Sequence, residues 1–459
     1  MKAYREEHDS IGSKMIPTDA YYGVQSLRGA ENFHITGRKL HPEFIRAIAE
    51  IKKASAMTNK EVGVIKPEIA NAMMLACDDI LNGKLLDNFI TDAVQGGAGT
   101  SANMNANEVI ANRAIEILGG VMGDYKMVHP NDHVNCGQST NDVIPSAGRI
   151  ALIRLIKLAL ESLSTLKTAF ENKAKEFESS IKMGRTEMQD AVPVSFGQVF
   201  GAYASALGRD IRRFDVAIKE MSVVNMGGTA IGTGINAHPD YIKNVTTNLC
   251  AVTGLELSQA DDLVDATQNL DSFVYVSGIV KSCAVTLSKI SNDIRLMSSG
   301  PRTGFGEINI PAKQNGSSIM PGKINPVMPE VMSQIAFNII GNDTTVTLAA
   351  EAGQLELNAF EPVLFYRLFE SLDTLRNGVE VFRKECVEGI TVNENKCRGD
   401  LERSIALVTA LCPYIGYTES ARIAKRALAE GRNLRDVILE EKVMSSEKLD
   451  EVLDPQKMC

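Results

Sequence analysis

The chain has no tryptophan, and aromatic residues make up only 5% of its 459 positions. A core without many rings must be built from Leu, Ile, Val, Ala and Met, which suits packed helices. Positive charge is in deficit: 48 Lys and Arg stand against 57 Asp and Glu, for a net charge of −9 and an isoelectric point near 5.4. No basic patch interrupts this balance, which argues against a nucleic-acid partner. No apolar run approaches the ~18 to 20 residues of a membrane span, and the opening MKAYREEHDS is charged where a secretory leader is apolar. The expectation is a cytoplasmic protein without a membrane partner. The eight cysteines are scattered and form no C-x-x-C pair, so neither a zinc site nor a disulfide scaffold is indicated. Histidine is scarce as well. His129 and His133 are four apart, but Pro130 between them disfavours a regular helix pairing them, and no metal is expected there.

What is present is helical periodicity. Ile45, Ile48, Ile51 and Ala54 recur at three-to-four-residue spacing, as do Ile150, Ile153, Ile156, Leu160, Leu163, Leu166 and Phe170. Further helices are expected near 196–221, 262–298, 328–350 and 361–385, with Pro329 and Pro362 close to helix starts, where proline is tolerated. Long helices in series favour an all-α bundle, and the few charges between Val274 and Ile290 imply cover on most sides, including by other subunits. Glycine-rich loops at 95–105, 225–234 and 298–318 separate these helices. Domain boundaries are placed near 138 and 392, giving an N-terminal helical domain over 1–138, a long-helix domain over 139–392 and a small C-terminal helical domain over 393–459.

Four motifs can carry chemistry. They are Gly99-Thr100-Ser101-Ala102-Asn103, Gln138-Ser139-Thr140-Asn141-Asp142, Gly184-Arg185-Thr186-Glu187, and GSSIMPGKIN at 316–325. Hydroxyls and backbone N–H groups that converge on one point suit an anionic oxygen, above all one whose charge grows during reaction, and a dicarboxylate is the natural guest. A serine is a weak base unless its alkoxide is held by a nest of N–H groups and a nearby cation; Gly316 and Gly322 permit such a backbone and Lys323 supplies the cation. On the residues alone two readings stay open at each place. The serine stretch is also a plausible Gly/Ser surface loop, and Ser139-Thr140-Asn141 before an apolar helix is also an N-cap, although a cap can itself hold an anion. None of the six histidines lies in these motifs, so an adjacent histidine is not the expected base. GGAGTS and GGTAIGTG resemble phosphate loops, but neither follows a clear strand and no G-K-[ST] closes them, so a nucleotide is not expected.

Taken together, the motifs resemble the fumarase/aspartase superfamily. The resemblance runs through TDAYYGVQSLRGAENF at 18–33, QGGAGTSANMNANEV at 95–109, NDHVN at 131–135, QSTND at 138–142, GRTEMQDAVP at 184–193, GSSIMPGKINP, and IGNDTTVTLAAEAGQLELNAFEP at 340–362. Thr140 in QSTND, AEAGQL at 350–355 and Glu361 before Pro362 favour the aspartase branch over class II fumarases. The resemblance implies an α-helical homotetramer with a twenty-helix core, active sites shared by three subunits, and reversible deamination of L-aspartate to fumarate and ammonia. It implies Ser317 as the base that takes the Cβ proton. Thr100, Ser139, Thr140 and Ser318 then hold the carboxylate beside that carbon, Asn141 and Thr186 meet the amine and the other carboxylate, and Lys323 with Asn325 anchors the second carboxylate. No metal or organic cofactor is required, and activation by a divalent cation stays open. Glu187 departs from the pattern, since compared members carry His or Gln there; it is expected to share a proton with Glu330, to face the ammonium group, or to mark another amino-substituted dicarboxylate. The HPNDHVN segment at 129–135 lies where fumarases have a second anion site and is read as structural. Malate as substrate and a silent structural member are the alternatives.

Overall fold

The computed structural model describes residues 3–458. Helices dominate it, and the strands form only four two-stranded sheets. Two of the expected helices have the anticipated bounds, Phe196–Met221 and Glu361–Glu385, and a third runs Val327–Glu351. The stretch expected as one helix over 262–298 is instead two, Leu263–Gln268 and Asp271–Met297. The break has a local cause. Asp262 caps the first helix by accepting from the N–H groups of Val264 and Asp265, and Asn269 turns its amide back onto Asp265 Oδ1 at 2.7 Å while its own backbone is extended.

The longest helix, Thr140–Glu176, contains Pro145 in its interior. Proline cannot donate to the carbonyl four residues earlier, which here is that of Asn141. Asn225 takes the vacancy by donating from Nδ2 to Asn141 O at 3.0 Å. A side chain distant in sequence thus repairs the first turns of this helix. Its expected apolar face is buried except at one position: Ile150, Ile153, Ile156, Leu163, Leu166 and Phe170 lie in the core, and Leu160 is half-buried.

Two compact units can be distinguished. The first comprises the chain up to Leu160, Arg212–Ser282 and Asn338–Thr374; the second comprises Glu161–Ile211, Cys283–Phe337 and the chain from Leu375. In the first, the helix Pro42–Glu61 packs on Pro67–Leu81 and Pro239–Thr253 and buries the expected stripe of Ile45, Ile48, Ile51 and Ala54. In the second, Leu411, Ile423, Val437, Ile438 and Leu449 form a C-terminal core with Met183. Phe170, Phe177, Phe196, Phe200 and Tyr203 make another cluster there, gathering four of the chain's fifteen phenylalanines with ring centres 5.6 to 6.5 Å apart.

The helix Asp271–Met297 contains no long uninterrupted apolar run, but it is the one helix among the described residues that is long and apolar enough to cross a membrane. An 18-residue window of it has mean hydropathy 1.3, and half of that window is buried within the protein. Ser277 and Lys281 of this helix both bond the carboxylate of Asp343, at 2.8 and 2.6 Å.

Candidate active site

Thr100 and Thr140 each open a helix, Thr100–Ile117 and Thr140–Glu176, and both lie in the first unit. Gly99 precedes Thr100 at φ 89°, and a Cβ there would lie 2.9 Å from Ile144, so only glycine allows this close entry. Asn103 ties the two helix starts together: its Nδ2 donates to Asn135 Oδ1 at 3.1 Å and to Thr140 Oγ1 at 3.3 Å. Two helix N-termini held this closely supply free N–H groups and positive potential to an anion. Ser139 serves as a cap as well, accepting from Asn141 N at 3.3 Å, while Asp142 returns a bond by accepting from Ser139 N at 2.9 Å. Asn141 Nδ2 donates to Ala230 O at 2.6 Å.

The second unit carries Thr186, Glu187, Ser317, Ser318, Lys323 and Asn325. Ser317 Oγ accepts from the backbone N–H of Ile319 at 3.1 Å and of Met320 at 2.9 Å. Two amide dipoles aimed at one hydroxyl oxygen stabilise negative charge on it, the property that a serine base needs. The loop is closed at its neck. Gly316 N donates to Lys323 O at 2.7 Å, Asn325 Nδ2 donates to Gly316 O at 2.9 Å, and a Cβ on Gly316 would sit 2.7 Å from Lys323 O. Asn325 therefore commits one amide proton to the loop and keeps the other. The Lys323 ammonium is exposed and has no hydrogen-bond or ion-pair partner among the described residues, and Ser318 is exposed beside Ser317.

Thr186 ends the strand Ile181–Thr186, which pairs antiparallel with Gln189–Ser195 through a two-residue turn. Both turn residues, Glu187 at φ 53° and Met188 at φ 67°, are left-handed. Such a turn matches the strand twist but ordinarily uses Asn-Gly, so a glutamate here is held against its preference. The base of the hairpin is rigid by contrast. Glu307, 1% exposed, pairs with Lys182 at 3.2 Å and with Arg185, whose guanidinium lies 4.4 Å from the Phe305 ring centre. Glu330 is 3.7 Å from Arg295, and no hydrogen bond or ion pair joins it to Glu187 among the described residues.

The histidines of HPNDHVN are engaged locally. His129 Nδ1 accepts from the N–H groups of Asn131 and Asp132, and His133 Nδ1 accepts from His129 N. No group of three or more His, Cys, Asp or Glu side chains suited to a metal ion occurs among the described residues.

Two family models match this chain, one described as Lyase over residues 12–341 and one described as Fumarase C C-terminus over residues 407–459. The chain belongs to the fumarase/aspartase superfamily. Relatives of this superfamily member include an aspartate ammonia-lyase of Bacillus subtilis (strain 168), 51% identical over 457 residues that span 100% of this chain and 96% of that protein. An aspartate ammonia-lyase of Helicobacter pylori is 50% identical across 99% of this chain and 97% of its own length. Among solved structures, a fumarate lyase:delta crystallin from Brucella melitensis bound to cobalt is similar with a TM-score of 0.97 and 48% identity, covering 99% of each chain. A class II fumarase from Schistosoma mansoni gives 0.96 and 34%, again over 99% of each chain. These neighbours agree with the expected all-α fold.

In this superfamily member, sequence reasoning passed over a buried polar layer beneath the hydroxyl motif. Lys52, fully buried, donates from Nζ to Asn135 Oδ1 at 2.8 Å, and Asn107 Nδ2 reaches the same oxygen at 3.2 Å. Burial pushes Lys52 down to about 7, opposed by the charge of Asp142. Burial also pushes Asp142 up to about 6, against backbone N–H donors and Lys52, which favour its charge. The one available signal was a lysine on the otherwise apolar stripe of Ile48, Ile51 and Ala54.

Proposed function

We propose that this chain is an aspartate ammonia-lyase, a carbon–nitrogen lyase that interconverts L-aspartate with fumarate and ammonia. The observation that carries the reading is the pair of backbone N–H groups on Ser317 Oγ. It is supported by full-length similarity to proteins named aspartate ammonia-lyase.

In the proposed reaction Ser317 works as its alkoxide. Its oxygen takes the Cβ proton of aspartate, and the electron pair moves into the adjacent carboxylate to give an aci-carboxylate dianion. Thr100, Ser139, Thr140 and Ser318 supply hydroxyls and helix-start N–H groups to that dianion; each well-aligned donor is worth on the order of 3 kcal/mol. The pair then returns to form the Cα–Cβ double bond as the Cα–N bond breaks, and ammonia leaves and takes up a proton as ammonium. Asn141 and Thr186 are assigned to the amine and the far carboxylate, and Lys323 with Asn325 to the far carboxylate. A free, exposed ammonium at Lys323 suits that task better than pairing with the Ser317 alkoxide. The chemistry calls for no organic cofactor or metal, and assays with and without magnesium test activation.

The assembly proposed is a homotetramer in the cytoplasm with sites completed by neighbouring copies. Tyr275, Val285, Phe337 and Leu348 on the long helices are each more than half exposed, which is costly for apolar side chains unless another copy covers them. A second reading, lyase action on another amino-substituted dicarboxylate, is favoured only by the strained acidic turn at Glu187.

The test is a fumarate absorbance assay with aspartate, malate and substituted aspartates side by side, with oligomeric state measured by light scattering. Fumarate is expected from aspartate and not from malate. Ser317→Ala is expected to lower kcat by about 10³-fold or more while leaving the melting temperature unchanged, because the side chain sits in a surface loop. Full turnover by that variant would end the proposed mechanism.

A further inference from the structure

The loop 225–234, NMGGTAIGTG, looks like a failed phosphate loop, yet it is fastened directly to the hydroxyl motif. Asp142 makes the clasp. One of its oxygens accepts from Ser139 N at 2.9 Å, and the other accepts from Gly227 N at 3.2 Å and Thr229 N at 3.1 Å. The amides of Ser139 and Thr229 therefore sit on the two oxygens of a single carboxylate. Asn141 adds two more ties, donating from Nδ2 to Ala230 O at 2.6 Å and accepting at its own carbonyl from Asn225 Nδ2 at 3.0 Å. Thr229 is thereby a spatial neighbour of Ser139 and Asn141, within the same compact unit.

Two properties of Thr229 are unusual. It is 3% exposed, and its hydroxyl has no hydrogen-bond partner among the described residues, although a buried hydroxyl is ordinarily satisfied. Its backbone is left-handed at φ 54°, where a β-branched residue is an outlier. The same loop uses glycine at its other left-handed positions, Gly227, Gly232 and Gly234. Threonine at the fourth position costs stability twice, through its backbone and through its unpaired oxygen. Neither cost is explained by packing, since glycine would avoid both.

We propose that Thr229 is a further substrate-binding residue, whose hydroxyl joins those of Ser139 and Thr140 in holding a carboxylate oxygen of the dicarboxylate. The inference rests on the lyase reading above. Bound substrate gives the idle hydroxyl its acceptor, and a residue otherwise at odds with its conformation gains a purpose. It also explains the clasp: Asp142 fixes two hydroxyl-bearing loops at one spacing, which pre-aligned donors require.

The experiment compares Thr229→Ser, Thr229→Val and Thr229→Gly in the full-length enzyme, measuring kcat and KM for aspartate and the melting temperature. Thr229→Ser keeps the hydroxyl and is expected within about threefold of the parent. Thr229→Val keeps shape and backbone preference but loses the hydroxyl, and is expected to lose about 10²-fold in kcat/KM, as for removal of one anion-stabilising donor. Thr229→Gly is expected to lose as much while melting at or above the parent temperature, since it relieves the left-handed strain. Activity of Thr229→Val within threefold of the parent would overturn the proposal, as would a loss in Thr229→Ser equal to that in Thr229→Val. If the parent turns over malate or another dicarboxylate instead of aspartate, the aspartate reading falls, and the same comparison on that substrate still decides the role of Thr229.

Discussion

Lys52→Met is the sharpest test of the polar layer beneath the hydroxyl motif. The lysine is fully buried on the helix Pro42–Glu61, and burial holds its pKa at about 7 against an ordinary 10.5. Between those values the unfolded chain binds a proton at Lys52 that the folded chain does not, so its contribution makes stability rise with pH across that window. Below about 7 the whole cost of burying the charge is present. A fall from 10.5 to about 7 corresponds to about 5 kcal/mol at about 1.4 kcal/mol per pH unit. Methionine fills a similar volume without charge. It forfeits the bond to Asn135 Oδ1, worth about 1 to 3 kcal/mol, but does not orphan that oxygen, which still accepts from Asn103 and Asn107. The net expectation is a gain of about 2 to 4 kcal/mol at pH 6, or about 2 to 4 °C in melting temperature for a chain of this length, falling as pH rises and reversing to a loss of about 1 to 3 kcal/mol near pH 10, where only the lost hydrogen bond remains. Dye-monitored melting of parent and variant at pH 6, 7.5 and 9.5 checks it. A variant that melts below the parent at pH 6, or a gain that does not fall with rising pH, would refute the reasoning.

Substitutions at two further positions have expected outcomes. Glu307→Gln removes the charge shared by the buried Lys182 and the half-buried Arg185 and should cost about 3 to 5 kcal/mol, because Lys182 is left without an anion and Arg185 keeps only Asp190 at 3.9 Å. Hydrogen exchange should quicken over 181–195, and unchanged protection there would deny Glu307 its role in bracing the hairpin. Glu187→Gly is expected to be neutral or to gain up to about 1 kcal/mol by relieving φ 53° at an exposed turn, read from denaturant midpoints. If it loses stability, the glutamate is making a contact that the turn geometry does not reveal. The companion Glu187→Gln should leave stability alone, and its pH–rate profile with aspartate should differ from the parent's if the carboxylate takes part in catalysis.

What could be read from sequence and what could not differ in the length of chain that each feature involves. The apolar stripes at Ile45 to Ala54 and Ile150 to Phe170 became buried helix faces because periodicity is a local property of the chain. The nest on Ser317 was equally legible, since its donors lie two and three residues downstream. The hairpin over 181–195 was not, because its turn is Glu187-Met188 and lacks the Asn-Gly signal that marks such turns. Nor was the start of the longest helix, where Pro145 argues against a regular interior until Asn225 arrives from eighty-four residues away to take the free carbonyl of Asn141.

The same distinction explains how the candidate site is built. Most groups assigned to the chemistry are small hydroxyls in short motifs, and such motifs are easily found. Their placement depends on partners such as Asp142, Asn135 and Lys52, which look like ordinary polar residues until the fold brings them together. A hydroxyl has little hold on its own position, so the donors around it must be fixed by the backbone, and the backbone by buried polar bonds. That requirement gives the unfavourable features a common cause. A buried lysine, the raised carboxyl of Asp142 and a left-handed threonine each cost stability, and all three lie at or against the helix start from Ser139 to Asp142. Substitutions that relieve those costs should therefore stabilise the fold and impair turnover, the opposite of what residues retained only for packing would do.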